Sequence, residues 1–128
     1  MSKLGIKGSI PVHKGRVELK LSLLKFKEDD IVFIYSPALD LTGYGKDGRS
    51  AKRSFEITVE EFVNYTSNKG TLDKELKRLG WRMSGSKRAP KFKQPYLDEL
   101  FQARPYLGDI IRNKEFERYE EQVLFPAA

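Results

Sequence analysis

Pro37-Ala38-Leu39-Asp40-Leu41-Thr42-Gly43-Tyr44-Gly45-Lys46, followed from Asp47 by a run with helical spacing, is the stretch whose reading decides the fold. A short extended segment ends in two glycines one residue apart. The hydrophobic period then changes from two to about 3.6. From about Arg49, the residues Ala51, Phe55, Val59, Phe62 and Thr66 form one apolar stripe of a long helix. Ile57 and Val63 are expected to widen its buried face, while Lys52, Arg53, Glu56, Glu60 and Asn64 fall away from it. Ser50 is the expected N-cap. Asn68-Lys69-Gly70 is the expected stop.

Upstream of this stretch, Arg16–Lys27 is the clearest strand. Val17, Leu19, Leu21 and Leu23 point one way, and Glu18, Lys20 and Ser22 the other. The alternation blurs at Leu24-Lys25-Phe26, which predicts a bulge or a change of face. Glu28-Asp29-Asp30 reads as a charged turn. Ile31–Ser36 is apolar on both faces, hence a central strand covered on both sides. Asp40–Gly45 reads as a third strand. Before all of these, Ser9-Ile10-Pro11-Val12 suggests a short edge strand and His13-Lys14-Gly15 a turn.

Downstream, Thr71 is the expected cap of a second helix with Leu72, Leu76 and Leu79 on its apolar face. Gly80 ends it, and Trp81 is expected in the core. Residues 82–95 read as loop or a frayed extended segment. Pro95 is expected to open a third helix, and Arg104-Pro105 a fourth carrying Leu107, Ile110 and Ile111 and ending at Asn113. A further turn is expected over Lys114–Arg118, and a terminal strand at Val123-Leu124-Phe125. The pattern predicts a single α+β domain over residues 1–128. It comprises an antiparallel three- to four-stranded sheet with a long helix packed on one face, plus short C-terminal helices and a terminal strand. The core is expected over residues 9–80, with 81–128 as a C-terminal extension of basic loop, short helices and a final strand.

The chemistry-bearing residues are few. The 128 residues include no cysteine and one histidine, His13. That excludes a disulfide framework, thiolate chemistry and the usual zinc site. No Gly-x-Ser-x-Gly elbow occurs, and Ser84-Gly85-Ser86 reads as loop. Glu28-Asp29-Asp30 is a solvated turn, and the adjacent pairs Glu60-Glu61 and Glu120-Glu121 point to different sides. Asp40 is the one strand acid placed as a nuclease of ribonuclease-H-like frame would need it. Gly43-x-Gly45-x-x-Gly48 invites a dinucleotide reading, but that site needs a parallel βαβ unit, and the context here is an antiparallel meander. The expectation is a non-enzymatic protein with no cofactor and no metal. The first eight residues lack a signal peptide's apolar run, and Ile31–Tyr35 is too short to span a bilayer, so a cytoplasmic location is expected.

Net charge is +6 and the isoelectric point near 9.5. Such a surface favours polyanions or an acidic partner. Between residues 77 and 93 there are seven basic residues and no acid. Lys77, Arg78, Arg82, Lys87, Arg88, Lys91 and Lys93 are therefore the candidate contacts to DNA or RNA phosphates.

Pro37–Gly45 followed by Ala51-Lys52-Arg53-Ser54-Phe55 resembles the HicB-like antitoxin domain, over about residues 16–69. Gly45 and Ala51 fall at the matching spacing, while Asp47 and Ser50 stand where Thr and Glu are usual. The resemblance implies a bacterial β-β-β-α-β unit without catalytic residues, part of a toxin–antitoxin system, that binds and neutralises a small mRNA-degrading toxin. Residues 70–128 match neither DNA-binding module usual in the family. Because this chain is basic, a basic toxin requires a locally acidic contact face, for which Glu56, Glu60 and Glu61 are the candidates. A homo-oligomer is also expected.

Overall fold

In the computed structural model, which describes residues 16–85 and 90–126, the first half of the chain is a three-stranded meander followed by a long helix. Strands β1 (Arg16–Glu28), β2 (Ile31–Ser36) and β3 (Leu41–Gly45) pair antiparallel in sequence order. Asp29 and Asp30 alone make the β1–β2 turn. Both take positive φ, 51° and 63°, the backbone that lets a two-residue hairpin follow the strands' twist. The strand suggested at Ser9–Val12 and the turn with His13 lie outside the described residues.

The blur in β1 is a change of face. Its pairing runs without interruption from Arg16 to Phe26 against one neighbour and from Leu24 to Glu28 against the other, so no bulge intervenes. Leu21 and Leu23 join the core on one side of the sheet, Leu24 and Phe26 the core on the other. Where both faces are covered, apolar residues need not alternate. The same holds in β2, where Ile34 faces one core and Tyr35 the other.

Helix α1 (Gly48–Asn68) crosses the first face. Ala51, Phe55, Val59, Val63 and Thr66 are buried as their spacing predicts, and Phe62 is partly covered. Ile57 is 43% exposed rather than buried; two residues from Phe55, it sits on the opposite side of the helix. The helix also starts earlier than expected. Asp47, not Ser50, is the capping residue: its Oδ1 accepts the Ser50 N–H at 2.8 Å and its carbonyl accepts the Ala51 N–H at 3.0 Å. Gly70, at φ 66°, ends α1, and the Thr71 N–H reaches back to the Thr66 carbonyl at 2.8 Å. In α2 (Leu72–Arg78), Leu72 and Leu76 are buried, as is the following Leu79. Thr71 occupies the N-cap position, but its hydroxyl donates to the Thr66 carbonyl instead of capping.

Two expectations for the second half are revised. Of the two readings of residues 82–95, loop or extended segment, the extended one holds for β4 (Arg82–Gly85) and β5 (Pro90–Lys93), which are not frayed but pair as a hairpin. Phe92 packs on the first core, and the Gln94 amide exchanges hydrogen bonds with Ser22 of β1. Those two anchors hold strands whose own basic and small residues carry little strand signal. Helices α3 (Leu97–Ala103) and α4 (Pro105–Asn113) follow, burying Leu100, Leu107 and Ile110 against Leu24, Phe26 and Tyr35. The turn expected over Lys114–Arg118 is instead the beginning of β6 (Phe116–Pro126), which is 11 residues long rather than three. As expected, the chain ends as a strand against the sheet: β6 pairs with β1 along its whole length and makes the sheet four-stranded. The order is β3-β2-β1-β6, all antiparallel, with α1 and α2 on one face and α3 and α4 on the other.

Candidate functional site

The glycines of the organising stretch are filled from within. A Cβ built on Gly43 would lie 2.6 Å from Phe55 Cβ, and one on Gly45 2.6 Å from Ser50 Cβ. Real Cβ atoms do not come that close, so only glycine lets α1 lie backbone against backbone on β3. The space a phosphate would need is occupied by the helix. Tyr44 N–H is also taken, by Ser54 Oγ at 3.1 Å, which ties up part of the β3 edge.

The turn between β2 and β3 is likewise structural. Ala38 and Leu39 are buried there, so its carbonyls need partners. Arg104 Nε donates to the Pro37 carbonyl and Trp81 Nε1 to the Ala38 carbonyl, each at 2.9 Å. Arg104 also caps α2 by donating to the Leu79 carbonyl. Trp81 is a core residue, as expected. Asp40, at φ 57°, lies in this turn and not on β3. Its carboxylate accepts the Tyr35 hydroxyl at 2.8 Å. Burial first, and the Asp40 hydrogen bond second, push that hydroxyl far above the ordinary tyrosine range. Asp40 therefore has a structural partner where a nuclease would need clustered carboxylates.

An open cleft of about 420 Å³ lies beside the α1 N-terminus, between Lys25, Gly48 and Lys52 on one side and Glu117, Tyr119 and Glu121 of β6 on the other. Lys52 and Glu121 are 3.9 Å apart. Burial, aided by Glu121 and Glu117, raises the Tyr119 hydroxyl to about 12. Among the described residues no group of three His, Cys, Asp or Glu converges to hold a metal ion, and no helix is long and apolar enough to cross a membrane.

The acidic candidates lie together on α1. Glu61 is exposed, and Glu56 and Glu60 are half-buried. Sequence reasoning missed the feature that accompanies them: Ile57 and Tyr65, 43% and 64% exposed, line up with Glu61 between them at four-residue intervals. Reading Ile57 as core hid it. The outer face of α1 thus carries two large apolar groups with carboxylates between and beside them, and Lys69 lies over the Tyr65 ring, 5.5 Å from its centroid.

The basic candidates divide. Lys87 and Arg88 lie outside the described residues. Lys77 and Arg78 are exposed on α2, and Arg78 Nε donates to Glu75 at 2.7 Å. Arg82 and Lys93 stand directly opposite each other in the hairpin, and Ser84 and Lys91 form the next pair but one. Alternation puts Arg82 and Lys93 on one face of the ribbon, and Met83 and Phe92 on the other. Arg82 is partly committed: it meets both Glu99 carboxylate oxygens at 3.1 Å and stacks 4.4 Å from the Tyr96 ring centroid. The Tyr96 N–H, and secondarily Arg82, hold the Glu99 carboxyl below the usual range.

No protein-family model, curated protein or solved structure matches the chain.

Proposed function

We propose that this is a non-enzymatic binding protein that acts as a HicB-like antitoxin, by contact with a small basic protein. The observation that carries the reading is the outer face of α1, where Ile57 and Tyr65 are exposed amid Glu56, Glu60 and Glu61. An apolar pair with Glu61 between its members and Glu56 and Glu60 to one side suits a helix-face contact with a basic partner, in which the apolar groups supply affinity and the carboxylates supply selection. The β-β-β-α order of residues 16–68 and the self-filled glycines of β3 support the same reading. Tagged protein recovered from its native host at native abundance brings down a small basic protein in stoichiometric amount. Recovery of the chain alone contradicts the reading.

A second reading is favoured by one observation, the shared face of Arg82 and Lys93. A two-stranded ribbon with a basic face fits a DNA major groove, or tracks a single strand by phosphate contacts. In both readings the protein works as a homo-oligomer in the cytoplasm.

A further inference from the structure

The outer edge of β6 is the longest strand edge that the described residues leave unpaired. Its chemistry follows from which way its backbone groups point. In an antiparallel pair, the N–H and C=O of one residue point to the same side, and successive residues alternate. Glu28 and Ile31 close the two-residue turn, so Glu28, Phe26 and Leu24 direct their backbone groups to β2. Ser22 follows the same rule, with its N–H on Gln94 and not on β6. Opposite these residues of β1 stand Phe116, Arg118 and Glu120, with Gln122 opposite Lys20. Their N–H and C=O groups therefore face away from β1, toward the open edge.

We propose that two copies of this chain pair antiparallel through β6, centred on Tyr119, to give a continuous eight-stranded sheet. The proposal rests on the homo-oligomer expected above and names its interface. Only registers that set outward-facing residues against one another form the ladder, so the twofold centre falls on a single residue of β6. Centring on Glu117, Arg118, Glu120 or Glu121 places that charged residue against itself. Centring on Tyr119 instead places Arg118 against Glu120 of the partner subunit, twice by symmetry, and Phe116 against Gln122 of the partner subunit. Phe116, Arg118 and Glu120 are exposed, so these groups are open to a partner. On the opposite face, this register brings Glu117 toward Glu121 of the partner subunit. There Lys52, 3.9 Å from Glu121, and Lys25 in the same cleft supply compensating charge. A charged edge ordinarily resists pairing; this one excludes partners whose charges do not alternate to match its own.

Light scattering on the full chain after size exclusion tests the proposal. The wild type runs as a dimer at about 100 μM. Arg118→Glu and Glu120→Arg each set like charges together and weaken dimerisation by at least about tenfold. The double exchange, Arg118→Glu with Glu120→Arg, restores it. The nearby Lys20, 3.4 Å from Glu120 on the exposed surface, opposes the swap only weakly. Gln122→Pro removes an outward N–H and none that bonds to β1, so it yields a monomer with unchanged far-ultraviolet dichroism. A monomeric wild type overturns both this interface and the expected homo-oligomer. A dimer that survives Arg118→Glu and Gln122→Pro overturns the interface alone.

Discussion

Gly43 and Phe55 meet backbone to backbone, leaving no room for a Cβ on the glycine. Gly43→Ala must therefore push α1 off the sheet, and overpacking of this kind costs about 1–3 kcal/mol or more. Gly48→Ala meets only the flexible end of Lys25, with Nζ at 3.0 Å. It gains helix propensity and is neutral or stabilising by up to about 1 kcal/mol. Urea denaturation of the two variants checks the contrast. Equal effects would mean that the close approach of α1 to β3 does not organise the fold.

Trp81 is 4% exposed and satisfies the Ala38 carbonyl. Trp81→Phe leaves that carbonyl unpaired among apolar groups, at a cost of about 1–3 kcal/mol plus lost packing. Its urea midpoint should fall accordingly. A change within about 0.5 kcal/mol would place the Ala38 carbonyl in reach of another donor.

Alkaline pH should weaken the fold through two tyrosines. Tyr35 and Tyr119 both ionise less readily when folded, since burial raises both from the ordinary value of 10.0, Tyr119 to about 12. A raised folded value means that the unfolded chain loses its protons first. Their contribution is thus complete below pH 10 and declines as pH rises through about 12. The drop in urea midpoint between pH 9 and 11.5 should shrink in Tyr35→Phe/Tyr119→Phe. An identical drop in that variant would remove both tyrosines from the account.

If the hairpin face binds nucleic acid, Lys93→Glu should weaken binding and make the salt slope shallower by about one. Charge reversal at Lys77, on α2, should matter less. Fluorescence anisotropy against a labelled oligonucleotide at several salt concentrations reads both effects. A slope unchanged by the hairpin variant would exclude this face.

Much of this architecture can be read from residue spacing alone. The Ala51–Val63 stripe, the Asp29-Asp30 turn and the two-faced strand Ile31–Ser36 follow from local pattern, because each is set by neighbours in sequence. Elements that depend on distant partners were harder to see. Four of the eleven residues of β6 are charged, and only its register with β1 reveals it as strand. The β4–β5 hairpin depends on Phe92 and Gln94 reaching the core and β1. Ile57 reads as core because an apolar residue near a stripe looks like part of it, although its angle on the helix sets it apart. The seven basic residues were visible at once, yet their division between helix, hairpin faces and ion pairs required the fold.

Titration calorimetry between the purified chain and its recovered partner tests the central claim most directly, comparing wild type with Ile57→Asp. The substitution lies on an exposed helix face and should leave stability nearly unchanged. Loss of a central apolar contact should weaken binding by about 30-fold. Unchanged affinity in a folded Ile57→Asp protein would contradict the outer face of α1 as the binding surface.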